Sequence, residues 1–496
     1  MSMKEHKQVT INQFVSIQFK RDSPKYLQIA QYIAEGIADN TLPRGAVLPP
    51  IRTLADALSV NSVTVVKAYE ELKDRQLIHT RRGSGVYVGR HGSPANNTTL
   101  QDELYRNEDI ELMGDPDVVI PPEALNLATS TPSTDLFPVS AFTASLNAVL
   151  ERDSGDAFSY DESGGYYQLR ETASELLRKR YGVQSSGSDI QVISGAQQGI
   201  DIAAKALVQP GDAVLVEDPT YSGAIAVFSS RGAKIITVKQ LTGDSVRRAC
   251  SAYRPKLIYC MSDYQNPTAR SFSLDERREI LQAARSFGSY IIEDDYASDL
   301  RYDQKEPVAV MKSLEDPLDG RVIYIKSFSK ILMPGLRIGF LVPPGAISRQ
   351  MLQAKHLSDI ASSGLIQRAF EHYLRSRSWE DHLQVMITQY GERYDACCTA
   401  LNQLTRLGCT FSPPGGGLHL WITLPETMSA RRVYQQAALK GVIITPGEVF
   451  RAGSHFHDHA IRISIAACRP EDIQRGISIL ADVMSSKIRS TIHPFI

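Results

Sequence analysis

The sequence lacks the features of membrane proteins and of proteins held together by disulfides. No run of about 18 apolar residues occurs, so we expect no transmembrane helix. Residues 1–10 are polar and contain no apolar signal-peptide core. The six cysteines form no Cys-x-x-Cys pair and no metal-ligand spacing, which predicts reduced thiols and no metal site. These absences favour a cytoplasmic protein.

The chain also has little net charge, −1 over 496 residues, but the charges are distributed unevenly. Residues 1–90 contain 13 Lys and Arg against 8 Asp and Glu, whereas residues 91–124 contain one basic residue, Arg106, against 8 acidic ones. The basic segment is suited to contact phosphates. The acidic segment is typical of a linker. We therefore expect an N-terminal extension over residues 1–20, a first domain over 21–89, a linker over 90–124 and a larger domain over 125–496.

Residues 21–89 have the pattern of a DNA-binding unit. Helical spacing of apolar residues predicts a first helix from about residue 24, a second over residues 51–58, and a third after Asn61, a residue type that often caps helices. The short gap between the second and third helices predicts a helix-turn-helix. Two β-prone runs, Leu77–Thr80 and Val86–Val88, flank a basic, glycine-containing tip and predict a hairpin. Together these elements predict a winged helix-turn-helix.

From residue 125 onward, β-prone runs alternate with helical ones. This alternation predicts an α/β domain with a mostly parallel sheet, in which ligands bind beyond the carboxyl ends of the strands. The predicted strands are Val192–Ile193, Ala213–Val216, Lys234–Val238, Leu257–Cys260, Tyr290–Ile292, Val322–Ile325 and Ile338–Val342.

Four fragments at predicted strand ends carry candidate chemistry. The first is Ser327-Phe328-Ser329-Lys330 with Arg337 beyond it, which suits a lysine that binds an aldehyde cofactor beside a phosphate site. Taken alone, this fragment strongly favours a solvated lysine on a loop. The others are carboxylates at 293–295 for a pyridinium nitrogen, Asn266 for a phenolic oxygen, and Ser194–Gln198, which opens a helix toward a phosphate. Only their joint occurrence in this order is specific.

The two halves of the chain resemble two known families. Residues from about 125 to 496 resemble the fold-type I aminotransferases, and residues 21–89 resemble the GntR winged helix. The GntR resemblance rests on Leu48-Pro49-Pro50-Ile51-Arg52, Thr64-Val65, Ala68-Tyr69 and Gly83-Ser84-Gly85. The tandem order is that of the MocR/GabR transcription regulators, which implies pyridoxal 5'-phosphate (PLP) as cofactor, an operator DNA as partner and a homodimer.

Carried onto this sequence, the resemblance assigns a role to each cofactor residue. Lys330 is the Schiff-base lysine and Asp294 pairs with the pyridine nitrogen. Arg462 is expected to bind the carboxylate of an amine or amino acid effector. The remaining contacts are Asn266 and Tyr296 on the phenolic oxygen, Tyr221 on the ring face, Ala196, Gln197, Ser327, Ser329 and Arg337 on the phosphate, and Tyr160 on the phosphate of a second subunit.

Two departures from the family patterns concern recognition. Many GntR domains have Ser-Arg before the Thr-Val of the recognition helix, but this chain has Asn61-Ser62-Val63. Base readout is then expected from Ser62, Thr64, Lys67 and the wing, with Arg52, Arg81, Arg82 and Gly83 at the DNA backbone. The second departure is Ala128-Thr129-Ser130-Thr131-Pro132, where aminotransferases usually offer a glycine to the substrate carboxylate.

Three functional interpretations follow from this organisation. The first is a transcription regulator whose aminotransferase-like domain senses PLP, an amine or an amino acid without physiological turnover, although half-transamination is possible. The second is a working aminotransferase with an accessory DNA-binding domain. The third is a regulator that senses PLP occupancy alone. Sustained turnover with amino donors and a keto acid distinguishes the enzyme from both regulators.

Overall fold

The computed structural model describes residues 17, 19, 24–38, 41–42, 46–74, 77–81, 85–88, 123–303, 306–316, 318–453 and 458–491. The chain divides into two compact units, residues 1–102 and 103–496. No helix in the described ranges is both long and apolar enough to cross a lipid bilayer.

The first unit is a winged helix-turn-helix, as the sequence predicts. Its three strands form an antiparallel sheet. The two strands of the hairpin pair with each other, and the shortest strand pairs with the free edge of the second hairpin strand. The elements are α1 (Lys25–Ala38), β1 (Val47–Leu48), α2 (Ile51–Ala57), α3 (Ser62–Asp74), β2 (Ile78–Arg81) and β3 (Gly85–Val88). Strand β1 was not predicted, because two residues are too few to give a periodic pattern.

Local contacts explain why these residues form the unit. The Asn61 side chain accepts a hydrogen bond from the Val63 N–H at 2.9 Å and so caps α3. The Tyr69 hydroxyl donates to the Pro49 carbonyl at 2.7 Å, which ties α3 to the segment that precedes α2. Ile17 and Phe19 pack against the same core, so part of the predicted N-terminal extension contacts the first unit.

The second unit is built on a seven-stranded sheet whose strands all coincide with predicted runs. The strands are β5 (Gln191–Ile193), β6 (Ala213–Glu217), β7 (Lys234–Val238), β8 (Leu257–Cys260), β9 (Tyr290–Asp295), β10 (Val322–Ser327) and β11 (Gly339–Val342). Their spatial order is β5-β11-β10-β9-β8-β6-β7. Strand β11 is antiparallel to both of its neighbours and the other pairs are parallel. The predicted mostly parallel sheet is therefore confirmed.

Helices cover both faces of this sheet, and the side chains on both sides of its central strands are therefore buried. In β6, Val214 and Val216 belong to one apolar cluster, whereas Ala213 and Leu215 belong to another. The helices of the unit are α4 (Val139–Asp153), α5 (Tyr167–Tyr181), α6 (Ala196–Leu207), α7 (Ser222–Ser230), α8 (Gly243–Tyr253), α9 (Leu274–Phe287), α10 (Met311–Leu314), α11 (Gly345–Asp359), α12 (Gly364–Arg375), α13 (Arg377–Thr405), α14 (Ala430–Leu439) and α15 (Pro470–Thr491).

Two small sheets complete the second unit. Strands β12 (His419–Thr423), β15 (Ala460–Ser464) and β14 (Thr445–Pro446) form an antiparallel sheet in that order. Strand β13 (Val442–Ile443) pairs in parallel with β4 (Leu125–Asn126). The chain that follows the predicted linker therefore packs beside the C-terminal part of the unit.

Candidate functional site

A cavity of about 640 Å³ opens at the carboxyl ends of the parallel strands. It contains every residue predicted for the cofactor and effector except Tyr160. Those lining residues are Ala196, Gln197, Tyr221, Asn266, Asp294, Tyr296, Ser327, Ser329, Lys330, Arg337 and Arg462. The crossover geometry explains this convergence, since parallel strands bring their following loops to one edge of the sheet.

The Lys330 amine lies in this cavity with an altered acidity. Its pKa is lowered to about 8; loss of contact with water is the largest cause, the nearby cations Arg462 and Arg337 act in the same direction, and Asp294 opposes them. A lysine with this pKa is partly neutral at physiological pH. Its free electron pair can then attack a carbonyl carbon, as imine formation requires.

Asp294 lies near the end of β9 and has one unsatisfied oxygen. The Tyr259 hydroxyl donates to Oδ2 at 2.8 Å, whereas Oδ1 is buried and has no hydrogen-bond partner among the described residues. Burial is the largest cause that raises the pKa of this carboxyl to about 7. A cationic N–H donor placed against Oδ1 would satisfy it and stabilise its charge, which is the property of a pyridinium nitrogen.

The side chain of Asp295, the next residue, faces the opposite side of the sheet from Asp294 and has its own partners. The Tyr324 hydroxyl donates to its Oδ2 at 2.6 Å, and the Lys326 ammonium lies 3.1 Å from the same oxygen. Successive strand residues face opposite sides of the sheet. Of these two carboxylates, only Asp294 lines the cavity.

The loop before α6 and the turn that contains Arg337 form the opposite end of the cavity. Gly195 precedes α6 with φ +86°, and a Cβ at this position would lie 2.9 Å from Arg337 Nη2. Arg337 also has a positive φ of +52° and donates from Nη2 to the Ser194 carbonyl at 2.5 Å. The N-terminus of α6, an arginine and the hydroxyls of Ser327 and Ser329 together make a typical phosphate site.

Other predicted contacts already have partners within the chain. The Tyr221 hydroxyl donates to Gln197 Oε1 at 3.0 Å. The Tyr296 hydroxyl donates to the Tyr264 carbonyl. A phenol has one proton. Because Tyr296 donates its proton to the Tyr264 carbonyl, Tyr296 in this arrangement can accept a hydrogen bond from the phenolic group of a cofactor but cannot donate one to it.

Arg462 on β15 is buried and has neutral partners only. Its Nη1 donates to Asn266 Oδ1 at 2.9 Å, and its Nη2 donates to the Ala128 carbonyl at 2.5 Å and to Thr445 Oγ1 at 3.2 Å. The guanidinium also lies 4.7 Å from the centre of the Phe450 ring. Burial lowers its pKa to about 10. No carboxylate among the described residues pairs with it, so the site suits an anionic ligand.

Sequence reasoning assigned no role to His419 and Tyr259. His419 on β12 lines the cavity, and its Nε2 lies 3.3 Å from Ser130 Oγ. Its ring also stacks on Tyr296 with centroids 6.1 Å apart. Tyr259 lies inside an apolar strand and donates to Asp294. The alternation within His419-Leu420-Trp421-Ile422 was the one available signal, since it places a histidine on the polar face of a strand.

Tyr160 lies outside the cavity of its own chain and is 87% exposed. Its role in a second subunit remains a prediction.

In the first unit, the predicted DNA contacts lie on two helices. Ser62 and Lys67 are exposed on α3, Thr64 is half-buried, and Arg52 is exposed on α2. Val63 is 58% exposed on the first turn of α3. The exposed face of α3 therefore combines a hydroxyl, an apolar side chain and an ammonium group, which suits contacts to bases and phosphates.

The predicted wing contacts are described only in part. Arg81 ends β2, and its side chain lies outside the described residues, as do Arg82 and Gly83. Their contribution to DNA binding stays a prediction.

Comparison with known families gives matches for both units. The family "Aminotransferase class I and II" matches residues 122–480, and "Bacterial regulatory proteins, gntR family" matches residues 25–88. A solved structure of kynurenine aminotransferase from Pyrococcus horikoshii, in complex with PMP, is 29% identical, has a TM-score of 0.72, and covers 79% of this chain and 98% of its own. LysN, an alpha-aminoadipate aminotransferase from Thermus thermophilus complexed with N-(5'-phosphopyridoxyl)-L-leucine, is 26% identical with a TM-score of 0.71, at 79% and 98% coverage.

Relatives that share both units are transcription regulators. The chain is 30% identical over 469 residues to the uncharacterized HTH-type transcriptional regulator YdfD of Bacillus subtilis, with 92% of this chain and 95% of the relative covered. It is 26% identical over 470 residues to the probable rhizopine catabolism regulatory protein MocR of Rhizobium meliloti, with 92% and 93% covered. The chain thus belongs to the aminotransferase class I and II family and, within it, to the MocR-type transcription regulators that carry a GntR winged helix.

Proposed function

We propose that the aminotransferase-like unit of this regulator binds PLP at Lys330 and senses an amine or amino acid without sustained turnover. The observation that carries the proposal is the cavity itself, where a partly neutral lysine, a buried carboxylate with an unpaired oxygen and a buried arginine without an anion lie together. Two aminotransferases of similar structure were solved with PMP or a phosphopyridoxyl ligand, which supports PLP as the cofactor.

Each group in the cavity has a distinct task in this proposal. PLP supplies an aldehyde that condenses reversibly with primary amines. Lys330 provides the amine for covalent attachment, and Asp294 holds a proton on the pyridine nitrogen. The N-terminus of α6 and Arg337 bind the phosphate. Arg462 binds the effector carboxylate through its guanidinium.

The DNA-binding role follows from the first unit. We infer that α3 enters the major groove, where Lys67 faces the bases, and that Arg52 contacts phosphates. An effector changes transcription only if it binds more tightly to one conformation than to another. Arg462 contacts separate parts of the chain, so an effector that binds Arg462 can interact more strongly with one conformation than with another.

We also propose a homodimer. Tyr160 and Phe158, at 87% and 69% exposure, form an aromatic surface outside the cavity of their own chain. In this dimer Tyr160 would bind the phosphate in the partner's cavity, and two winged helices would favour two DNA half-sites. A monomer in analytical ultracentrifugation that still binds PLP tightly contradicts this assembly.

The regulator is tested by loading the full chain with PLP and adding amino donors with a keto acid acceptor. A stoichiometric change in cofactor absorbance, without continued product formation, is expected. Binding to duplexes selected from a random library is then measured with and without the donor. Sustained turnover together with unchanged DNA binding contradicts the sensor and favours an aminotransferase.

A further inference from the structure

The segment after β4 does not offer its backbone to a ligand as the family pattern would suggest. The N–H groups of Ala128 and Thr129 donate to Asn126 Oδ1 at 3.1 and 3.0 Å. The Thr131 N–H donates to Thr129 Oγ1 at 3.2 Å. These three backbone donors are therefore used within the segment. Ser130 lies among them, lines the cavity and has a side-chain partner on another strand.

That partner is His419, which is 1% exposed. Its Nε2 lies 3.3 Å from Ser130 Oγ, and its Nδ1 is buried without a hydrogen-bond partner in the described part of the chain. Burial, followed by the cations Arg462 and Lys330, holds the pKa of this imidazole well below its usual value. The ring is therefore neutral at physiological pH.

A neutral ring carries one proton, and the environment favours its position on Nε2. A buried N–H without an acceptor is rarer in proteins than an unpaired acceptor, so Nδ1 is better left unprotonated. Nε2–H then donates to Ser130 Oγ. Because a hydroxyl can accept and donate at once, Ser130 keeps its own proton for a group in the cavity.

The neighbouring groups determine which ligand atom suits that proton. Strands β12 and β15 pair Trp421 with Arg462 and His419 with Ser464. His419 and Arg462 therefore lie on the same face of the sheet, and one pair, Leu420 with Ile463, lies between their positions. Ala128, two residues before Ser130, accepts a hydrogen bond from Arg462. A hydroxyl donor and a guanidinium therefore flank one region that has no anion of its own.

We propose that Ser130, oriented by His419, donates a hydrogen bond to the effector carboxylate held by Arg462 and so makes the site selective for amino acids over simple amines. This inference rests on the proposed PLP-binding regulator. Ser130 is the contacting residue, and His419 is a positioning residue.

The test compares L-alanine, ethylamine and propionate, which carry both groups, only the amine, or only the carboxylate. The PLP-loaded full chain is titrated with L-alanine and with ethylamine by cofactor absorbance, and propionate is measured as a competitor of ethylamine. Loss of one hydrogen bond to a charged group predicts that Ser130→Ala weakens L-alanine and propionate roughly 10-fold or more. Ethylamine is expected to change less than about twofold, since it has no carboxylate to lose.

Further variants separate recognition from folding. His419→Phe keeps an aromatic ring against Tyr296 but removes the donor, so a smaller loss of the same selectivity is expected. Ser130→Gly removes the hydroxyl and keeps the backbone N–H, and is expected to behave as Ser130→Ala does. Thr131→Val is the matched control, because it removes a neighbouring exposed hydroxyl that does not line the cavity and is expected to leave the ratio of L-alanine to ethylamine affinity unchanged.

The inference is overturned if Ser130→Ala leaves that ratio unchanged, whether both affinities stay the same or both fall equally, as general damage to the cavity would cause. If the wild-type protein retains PLP and responds to ethylamine as strongly as to L-alanine, carboxylate selection fails while the PLP-binding regulator stands. If the wild-type protein retains no PLP, the proposed function itself fails.

Discussion

The hydrogen bond between Tyr259 and Asp294 offers a direct test of how the chain prepares a site for a pyridinium nitrogen. Tyr259→Phe removes the hydroxyl that donates to Asp294 Oδ2 at 2.8 Å and leaves the ring in place. Because this hydrogen bond lowers the pKa of the carboxyl, its loss favours the protonated form. The variant then holds less of the carboxylate that would pair with the cofactor.

The structure sets the size of the effect. A hydrogen bond to a buried charged group contributes about 1.5–3 kcal/mol, and one pKa unit corresponds to about 1.4 kcal/mol. The pKa of Asp294 is about 7 in the present arrangement, so the variant is expected to reach about one to two units higher. The affinity for PLP is expected to fall roughly tenfold or more, because the ionised partner becomes less stable by the same free energy.

A matched control exists on β10, which pairs with β9 on the side opposite β8. The Tyr324 hydroxyl donates to Asp295 Oδ2 at 2.6 Å, and Asp295 does not line the cavity. Tyr324→Phe removes an equivalent buried hydroxyl without touching Asp294. PLP dissociation constants of the three proteins are measured by absorbance at several concentrations of free PLP. Equal affinity in Tyr259→Phe and wild type, or an equal loss in both variants, refutes the assigned role of Asp294.

Three further predictions concern other parts of the site and of the DNA-binding unit. Lys330→Ala should prevent borohydride from fixing PLP to the chain while DNA binding is retained; fixation at another lysine contradicts the assignment. Without cofactor, the raised pKa of Asp294 costs stability progressively as pH rises from 3.8 to about 7. The thermal midpoint of Asp294→Asn should therefore exceed that of wild type by more at pH 8 than at pH 5, and a constant difference speaks against it. Replacing Arg52 by alanine should reduce the salt dependence of DNA binding by roughly one unit in log–log slope, whereas Arg377→Ala on the second unit should leave it unchanged.

Much of the fold could be predicted because its strands are buried on both faces. Most of the seven central strands contain a compact apolar run, such as Leu257–Cys260, that needs no partner information to be recognised, whereas the edge strand β7 is partly exposed. Lys330 and the acidic strand end can be recognised in the same way, since polar residues that follow such runs stand out. The short strands β1, β4, β13 and β14 could not be predicted, because two residues contain no period.

Pairings across long sequence distances were equally inaccessible. Ser130 and His419 are 289 residues apart, and Tyr259 acts on Asp294 from a neighbouring strand whose place in the sheet the sequence does not specify. The acidic strand end also contains three carboxylates, and side-chain alternation alone does not say which face holds the ligand. The family resemblance points to Asp294. In the structure, α6 and α7 pack on one face and Tyr324 and Lys326 hold Asp295, so Asp294 is the carboxylate in the cavity.

The residues at the end of the predicted linker and directly after it take part in the cavity. The predicted linker ends at residue 124, and both Ala124 and Asn126 line the cavity. Four residues after that end, the Ala128 carbonyl accepts a hydrogen bond from Arg462 at 2.5 Å. A carboxylate that binds Arg462 must compete with this contact and with those to Asn266 and Thr445. We propose that a ligand that weakens the contact to Ala128 acts on the residues that directly follow the predicted linker, because an effector must interact differently with two conformations to couple separate sites.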